Sequence, residues 1–173
     1  MLSIPATQNA MYSSDVSGAF DKVFTEGLCM KLEAKGWPRQ AVALFCSWPR
    51  HRNAKIVVNG TASHIEQLCN MVFQGTVFGP PLWNEFFEDA RHAINATGFQ
   101  ECVFADDLQA FRAFDRDTSE DDIMQASVAC QASLHKWGQA NQVTFDGAKK
   151  KHGILSASAP ANQDCFKLLW NQV

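Results

Sequence analysis

Three aspartates stand where a charge is costly. Asp15 follows Met11-Tyr12-Ser13-Ser14 and precedes Val16-Ser17-Gly18, near the end of an expected strand over Met11 to Val16. Asp106 and Asp107 lie in the expected turn of a hairpin whose arms, Cys102 to Phe104 and Leu108 to Phe111, are apolar. A carboxylate pressed against buried strands costs free energy unless it is paired or bound to a metal. Magnesium suits such a set, being a hard cation that takes carboxylate oxygen and shares its sphere with phosphates. Each signal alone is weak. Asp-Asp is an ordinary solvated turn, and Asp15 alone reads equally well as a helix N-cap. Gln74-Gly75 alone is a common turn, and Lys149-Lys150-Lys151 alone a solvated basic cluster.

Other residue types capable of chemistry are scattered. The five histidines (His51, His64, His92, His135 and His152) form no H-x-x-H or H-E-x-x-H pattern and read as surface or incidental residues. The six cysteines (Cys29, Cys46, Cys69, Cys102, Cys130 and Cys165) lie far apart without a C-x-x-C pair. They read as small core residues rather than as a zinc site or a disulfide scaffold, both of which favour tighter spacing.

The elements that must position the aspartates can be drawn from periodicity. Phe20, Val23, Phe24, Leu28 and Leu32 recur at spacings of three and four, which predicts a helix. Gly36 and Pro38 stop it and permit a second helix toward Trp48. Lys55 to Val58, Asn59-Gly60 and Thr61 to Ile65 predict a hairpin, because both turn residues need positive φ. Gly79-Pro80-Pro81 opens a helix through Trp83, Phe86, Phe87, Ala90 and Ile94. After the Asp106-Asp107 hairpin, Thr118 with Asp121 resembles a helix-start box. The helix it opens carries Ile123, Ala126, Cys130, Leu134 and Trp137 on one face. Val143 to Phe145, Ile154-Leu155 and Phe166 to Leu169 are expected as short closing strands. This order predicts an α+β domain, with a mainly antiparallel sheet and helices packed on one face.

The bulk numbers agree with a folded chain. At 173 residues, 46% apolar and 19% charged, it is the size of one domain with a real core. No apolar run approaches the roughly 20 residues that cross a bilayer, and the N-terminus lacks the basic start and apolar core of a signal peptide. The expectation is an intracellular protein, in cytoplasm or nucleus, with no membrane partner. A net charge of −3 sits badly with a protein that grips phosphates, which needs basic surface.

Read in order and with their flanks, the weak signals combine. Asp15-Val16-Ser17-Gly18-Ala19-Phe20-Asp21-Lys22-Val23 closely resembles the first palm motif of reverse transcriptases of non-LTR (LINE-type) retrotransposons. Gln74-Gly75-Thr76-Val77-Phe78-Gly79-Pro80-Pro81-Leu82-Trp83 resembles the second, Phe104-Ala105-Asp106-Asp107 the third, and Phe145-Asp146-Gly147-Ala148-Lys149-Lys150 the fourth. Phe166-Lys167-Leu168-Leu169 looks like the start of the strand that follows, near the primer. On this resemblance, residues 1–173 are expected to form one partial reverse transcriptase domain.

The resemblance implies a polymerase palm, a ferredoxin-like antiparallel sheet with helices on one face. It implies RNA-templated DNA synthesis with two magnesium ions, manganese being the alternative metal. Asp15 and Asp106 would ligate both ions, with Asp107 supporting and the Val16 carbonyl adding an oxygen. In the two-metal clamp one ion activates the primer 3′-hydroxyl and the other holds the triphosphate and the leaving pyrophosphate. Phe20 matches the family's steric gate against a ribose 2′-hydroxyl, although its place on the apolar helix face also suits plain core. Gln74 and Gly75 would lie against the incoming nucleotide and template base. Lys149 is the choice for the fourth-motif lysine, with Lys150 and Lys151 adjacent. The implied partners are an RNA template, a DNA primer and deoxynucleoside triphosphates.

The pattern also departs from the family. Phe104 stands where tyrosine is frequent, Gly79-Pro80-Pro81 replaces a single proline, Asp146 stands where asparagine is frequent, and Lys150 replaces a hydroxyl residue. Fourteen residues precede Asp15 and the chain ends at Val173. Fingers, thumb and endonuclease segments, which carry much of the basic surface, are therefore expected as parts of a longer polyprotein. Two alternatives stand beside the polymerase: a catalytically inactive remnant or domesticated palm serving as a binding or structural module, and an RNA-dependent RNA polymerase palm. The last fits less well, since such palms more often place glycine before the aspartates.

Overall fold

The computed structural model describes residues 7–50, 52–68, 70–157 and 166–171. The chain runs β1 (Thr7–Asp15), a 3₁₀ turn (Phe20–Lys22), α1 (Thr25–Ala34), α2 (Arg39–Ser47), β2 (Arg52–Ala54), β3 (Val57–Val58), β4 (Thr61–Ala62) and β5 (Glu66–Leu68). It continues through α3 (Gly79–Phe87), α4 (Ala90–Asn95), β6 (Gln100–Phe104), β7 (Asp107–Asp115), α5 (Glu120–Ala140), β8 (Lys151–Ala157) and β9 (Phe166–Asn171). Two compact units result. One comprises Met1–Ser17, Asp89–Ala140 and Thr144–Val173, and the other Gly18–Glu88 with Asn141–Val143. Among the described residues, no helix is long and apolar enough to cross a membrane.

The first unit is built on a five-stranded sheet in the order β6-β7-β1-β8-β9, every neighbouring pair antiparallel. Strand alternation assigns its faces. Ala10, Tyr12 and Ser14 of β1 and Leu108 and Ala110 of β7 are buried. Asn9 of β1 and Asp107, Gln109 and Phe111 of β7 are exposed. α5 covers the buried face against β1 and β8, with α4 beside it on β6. Its inward stripe is Ile123, Ser127, Cys130, Leu134 and Gly138, and the expected Ala126 and Trp137 flank that stripe half-buried. Trp137 Nε1 donates to Asp89 Oδ1 at 3.0 Å and Ser133 Oγ to the Ala93 carbonyl at 2.7 Å, fastening α5 to α4. The α5 start box sits one residue later than expected. Asp122 N donates to Ser119 Oγ at 3.1 Å, and Ser119 Oγ to Asp122 Oδ2 at 2.6 Å.

In the second unit the expected helix through Phe20 and Leu32 is interrupted. Val23 and Phe24 are extended, with ψ of 111° and 106°, and α1 starts at Thr25. The Phe20 carbonyl, which a continuous helix would offer to residue 24, instead accepts from Val72 N at 2.8 Å. α1 packs on α2 and α3, and Leu28, Leu32, Leu82, Trp83, Phe86 and Phe87 are among this unit's buried apolar residues. Lys31 Nζ donates to the Phe86 carbonyl at 2.6 Å.

Other expectations also changed. The single helix through Trp83 and Ile94 is two, α3 and α4. The Asn59-Gly60 hairpin has positive φ at both turn residues, 50° and 81°, but its arms are shorter than read, and β2 pairs β5 beyond them. Of Val143 to Phe145, Phe145 forms an isolated bridge to Val16 rather than a strand. Cys130 is core, whereas Cys102 is exposed, on the sheet's edge strand. Cys29 and Cys46 form a disulfide between α1 and α2, against the reading of scattered thiols. Cys69, Cys165 and His51 lie outside the described residues.

Candidate active site

β1 and β7 pair over their whole length, so Asp15 stands directly opposite Asp107. The β6–β7 turn is Ala105-Asp106, and Asp107 is already the first residue of β7 rather than part of the turn. Ala105 holds this turn at φ 56°, left-handed backbone that alanine rarely adopts. Val16 N donates to the Asp106 carbonyl at 3.1 Å, tying the exit of β1 to the turn. Asp15 is buried at 8% exposure, while Asp106 and Asp107 are exposed.

A second segment closes on the end of β1. Ser17 N donates to the Thr144 carbonyl at 2.9 Å, Phe145 bridges Val16, and Asp146 N donates to the Asp15 carbonyl at 2.9 Å. Asp146 then shapes its own turn, its Oδ1 accepting from Ala148 N at 2.9 Å and its carbonyl from Lys149 N at 3.2 Å. That turn delivers Lys149, whose Nζ donates to Asp15 Oδ2 at 2.7 Å. The bond raises the Lys149 pKa, with the charge of Asp15 next in weight and Asp146 and Asp106 adding to it. Lys151 lines the same cleft, about 440 Å³, with Ser13, Asp15, Asp107, Ala148 and Lys149. Lys150 instead lies where its charge acts on His135 and His152.

The first unit therefore brings together Asp15, Val16, Asp106, Asp107 and Lys149. The second holds Phe20, Gln74 and Gly75. There the half-buried Phe20 ring lies 6.0 Å from Trp83, and Gln74 and Gly75 form an exposed turn in which Gly75 has φ 77°. The turn closes as Thr76 Oγ1 donates to the Phe73 carbonyl at 2.6 Å. A Cβ on Gly79 would meet that carbonyl at 2.9 Å and the Phe20 ring at 3.6 Å, so a bare backbone is needed there.

Like charges directly opposite on paired strands repel, and Lys149 already compensates one of them. Among the described residues no three His, Cys, Asp or Glu side chains converge into a ready metal cluster. Magnesium does not require one. It commonly takes one or two carboxylates and completes its sphere with water and substrate phosphates. The hard oxygens of Asp15, Asp106 and Asp107 fit such an ion.

Sequence reasoning missed two residues beside this site. His152, read as surface, is 1% exposed, and His135 stacks flat on Phe145 at 5.1 Å. Strand parity carried a signal for His152, since Lys151 facing outward turns its neighbour inward. No spacing motif marked His135.

The family model for reverse transcriptase (RNA-dependent DNA polymerase) matches residues 2–160. The chain belongs to the reverse transcriptase family. Its fold is similar to that of apo telomerase from Candida tropicalis truncated from its C-terminal domain, with a TM-score of 0.60 and 12% identity over 98% of this chain. The alignment covers 36% of that structure, so this reverse transcriptase chain spans about a third of its length. No curated protein matches the sequence.

Proposed function

We propose that this reverse transcriptase chain is the palm of an RNA-directed DNA polymerase of the non-LTR retrotransposon type, working with fingers and thumb segments of a longer polyprotein. The observation that supports it most is the cross-strand pairing of Asp15 with Asp107, with Asp106 in the adjoining turn, in a chain of this family. Asp15, Asp106 and Asp107 would hold magnesium with the Val16 carbonyl. When bound, the ions supply charge for the attacking hydroxyl and the leaving pyrophosphate.

The chain's own residues do the rest by position and charge. Asp15 is fixed by its carbonyl bond to Asp146 N and its carboxylate bond to Lys149. Lys149 stays cationic, because its partner raises its pKa, and it can neutralise or protonate the departing phosphate. Gln74 and Gly75 contact the incoming nucleotide and template base. Phe20, backed by Trp83, excludes a 2′-hydroxyl.

The test is magnesium-dependent primer extension on an RNA template, with the chain expressed in its flanking reading frame. DNA synthesis that disappears in the Asp106→Asn, Asp107→Asn double variant supports the polymerase. Absence of synthesis with intact flanks sinks it and leaves a binding or structural module. Preference for ribonucleotides would sink the deoxynucleotide assignment.

A further inference from the structure

The segment that presents Lys149 is gripped at both ends by residues of α5. At its entry, the His135 ring lies on Phe145 with centroids 5.1 Å apart and planes 5° from parallel. Phe145 is also the residue that bridges Val16 at the end of β1. At its exit, His152 Nε2 lies 3.0 Å from Gln131 Oε1, and with that oxygen accepting, Nε2 carries the hydrogen. His152 is stacked on Tyr12, its cross-strand partner on β1, with ring centroids 4.9 Å apart. Gln131 and His135 are four residues apart on α5, so they lie on one helix face a single turn apart.

Between these grips the backbone has little freedom to drift. Asp146 N is bound to the Asp15 carbonyl, and Asp146 in turn holds Ala148 N and Lys149 N. The Lys149 side chain itself is exposed and mobile in kind, a long stem of rotatable bonds. Its bond to Asp15 therefore depends on where the turn sets its Cα. Cβ positions on both strands of a sheet are fixed by register, but a turn is fixed only by what anchors it.

We infer that His135 and His152 are positioning residues that act through the 145–152 segment to hold Lys149 on Asp15. This rests on the reading of Asp15 and Lys149 as part of a polymerase site. Neutral rings serve the role best, since a charged imidazole would stack poorly in the interior. Burial, and then the Lys150 charge, do lower both pKa values. Phe145 stacks on His135, Tyr12 and Gln131 contact His152, and the charge of Lys150 acts on both rings.

A double-mutant cycle tests the idea in single-turnover primer extension by the full chain with its flanks. His135→Ala should slow incorporation about tenfold, as a displaced catalytic group does. His135→Phe, which keeps the flat ring, should recover most of the rate, and His152→Gln should behave as a second, milder lesion. In a Lys149→Ala background, His135→Ala should cost less than about twofold, because its effect runs through the lysine. Equal losses in both backgrounds would mean simple core packing and overturn the role.

A second readout separates this from failure of the polymerase reading. In the chain as it stands, His135→Ala should speed amide exchange across residues 146–150 about tenfold, leaving β1 and β7 unchanged. Unchanged exchange in that segment overturns the inference whether or not the protein makes DNA. Faster exchange without any synthesis would keep the anchoring role while the polymerase reading fails.

Discussion

Asp15 and Asp107 face each other across the β1–β7 pair, two carboxylates at directly opposed positions of one sheet. Opposed like charges lower sheet stability by a few tenths to about 1 kcal/mol, so this arrangement costs the fold something that packing does not explain. Lys149 offsets it from one side only, by its bond to Asp15 Oδ2.

Asp107→Asn should therefore raise stability while damaging activity. The expected gain is about 0.5 kcal/mol in urea unfolding, from relief of the opposed charges. On the proposed reading, incorporation falls by roughly a hundredfold, equivalent to about 3 kcal/mol of barrier. A loss of stability would show instead that Asp107 makes a structural bond that outweighs the repulsion.

The turn beside it offers an independent check. Ala105 sits at φ 56°, where a Cβ crowds the following carbonyl at a cost of about 1–2 kcal/mol. Glycine escapes that cost but gives back about 0.5–1 kcal/mol in chain entropy. Ala105→Gly should thus be neutral to stabilising by about 1 kcal/mol in thermal unfolding, whereas Ala105→Val should destabilise by more than 1 kcal/mol. Primer extension by the glycine variant reports whether the strained turn matters to Asp106.

Much of this arrangement was legible because sheets and stripes are periodic. The short segment Met11 to Val16 placed Asp15 near a strand end, and the apolar arms around Asp106 marked a hairpin. Spacings of three and four found α5 through Ile123, Cys130 and Leu134. Where tertiary bonds decided, the pattern failed. The Phe20 carbonyl turned to Val72, breaking a helix that its apolar spacing predicted. Lys149 was chosen over the adjacent Lys150 and Lys151 by resemblance alone, because which lysine reaches Asp15 depends on the turn that Asp146 builds. Nor does the spacing of Cys29 and Cys46 announce their meeting, which follows from the packing of α1 on α2.

That disulfide yields a third expectation. Bridging two cysteines 17 positions apart in the sequence removes unfolded-chain entropy worth about 3 kcal/mol. Dithiothreitol should lower the midpoint of unfolding of the oxidised chain, and Cys29→Ser with Cys46→Ser should abolish this response. A chain whose unfolding is indifferent to reductant, with both thiols free by mass spectrometry, would remove the bridge from any account of stability.

His135 and His152 carry a fourth expectation, an acid sensitivity of the fold. Burial first, then Lys150, hold the pKa values of His135 and His152 below the ordinary 6.5. Between the lowered folded values and 6.5 the unfolded chain binds more protons than the native one, so stability rises with pH across that window. Above 6.5 the contribution is whole, and it drains as the pH falls through the folded values. Tyr12, stacked on His152, supplies no charge to offset this, because burial pushes its phenol up to about 12. Urea unfolding at pH 7.5, 6.5 and 5.5 should show falling stability, with most of the loss below 6.5. His135→Phe with His152→Phe should flatten that part of the profile even if the double variant is less stable at neutral pH. An unchanged slope would assign the acid sensitivity to carboxylates elsewhere and remove the histidines from it.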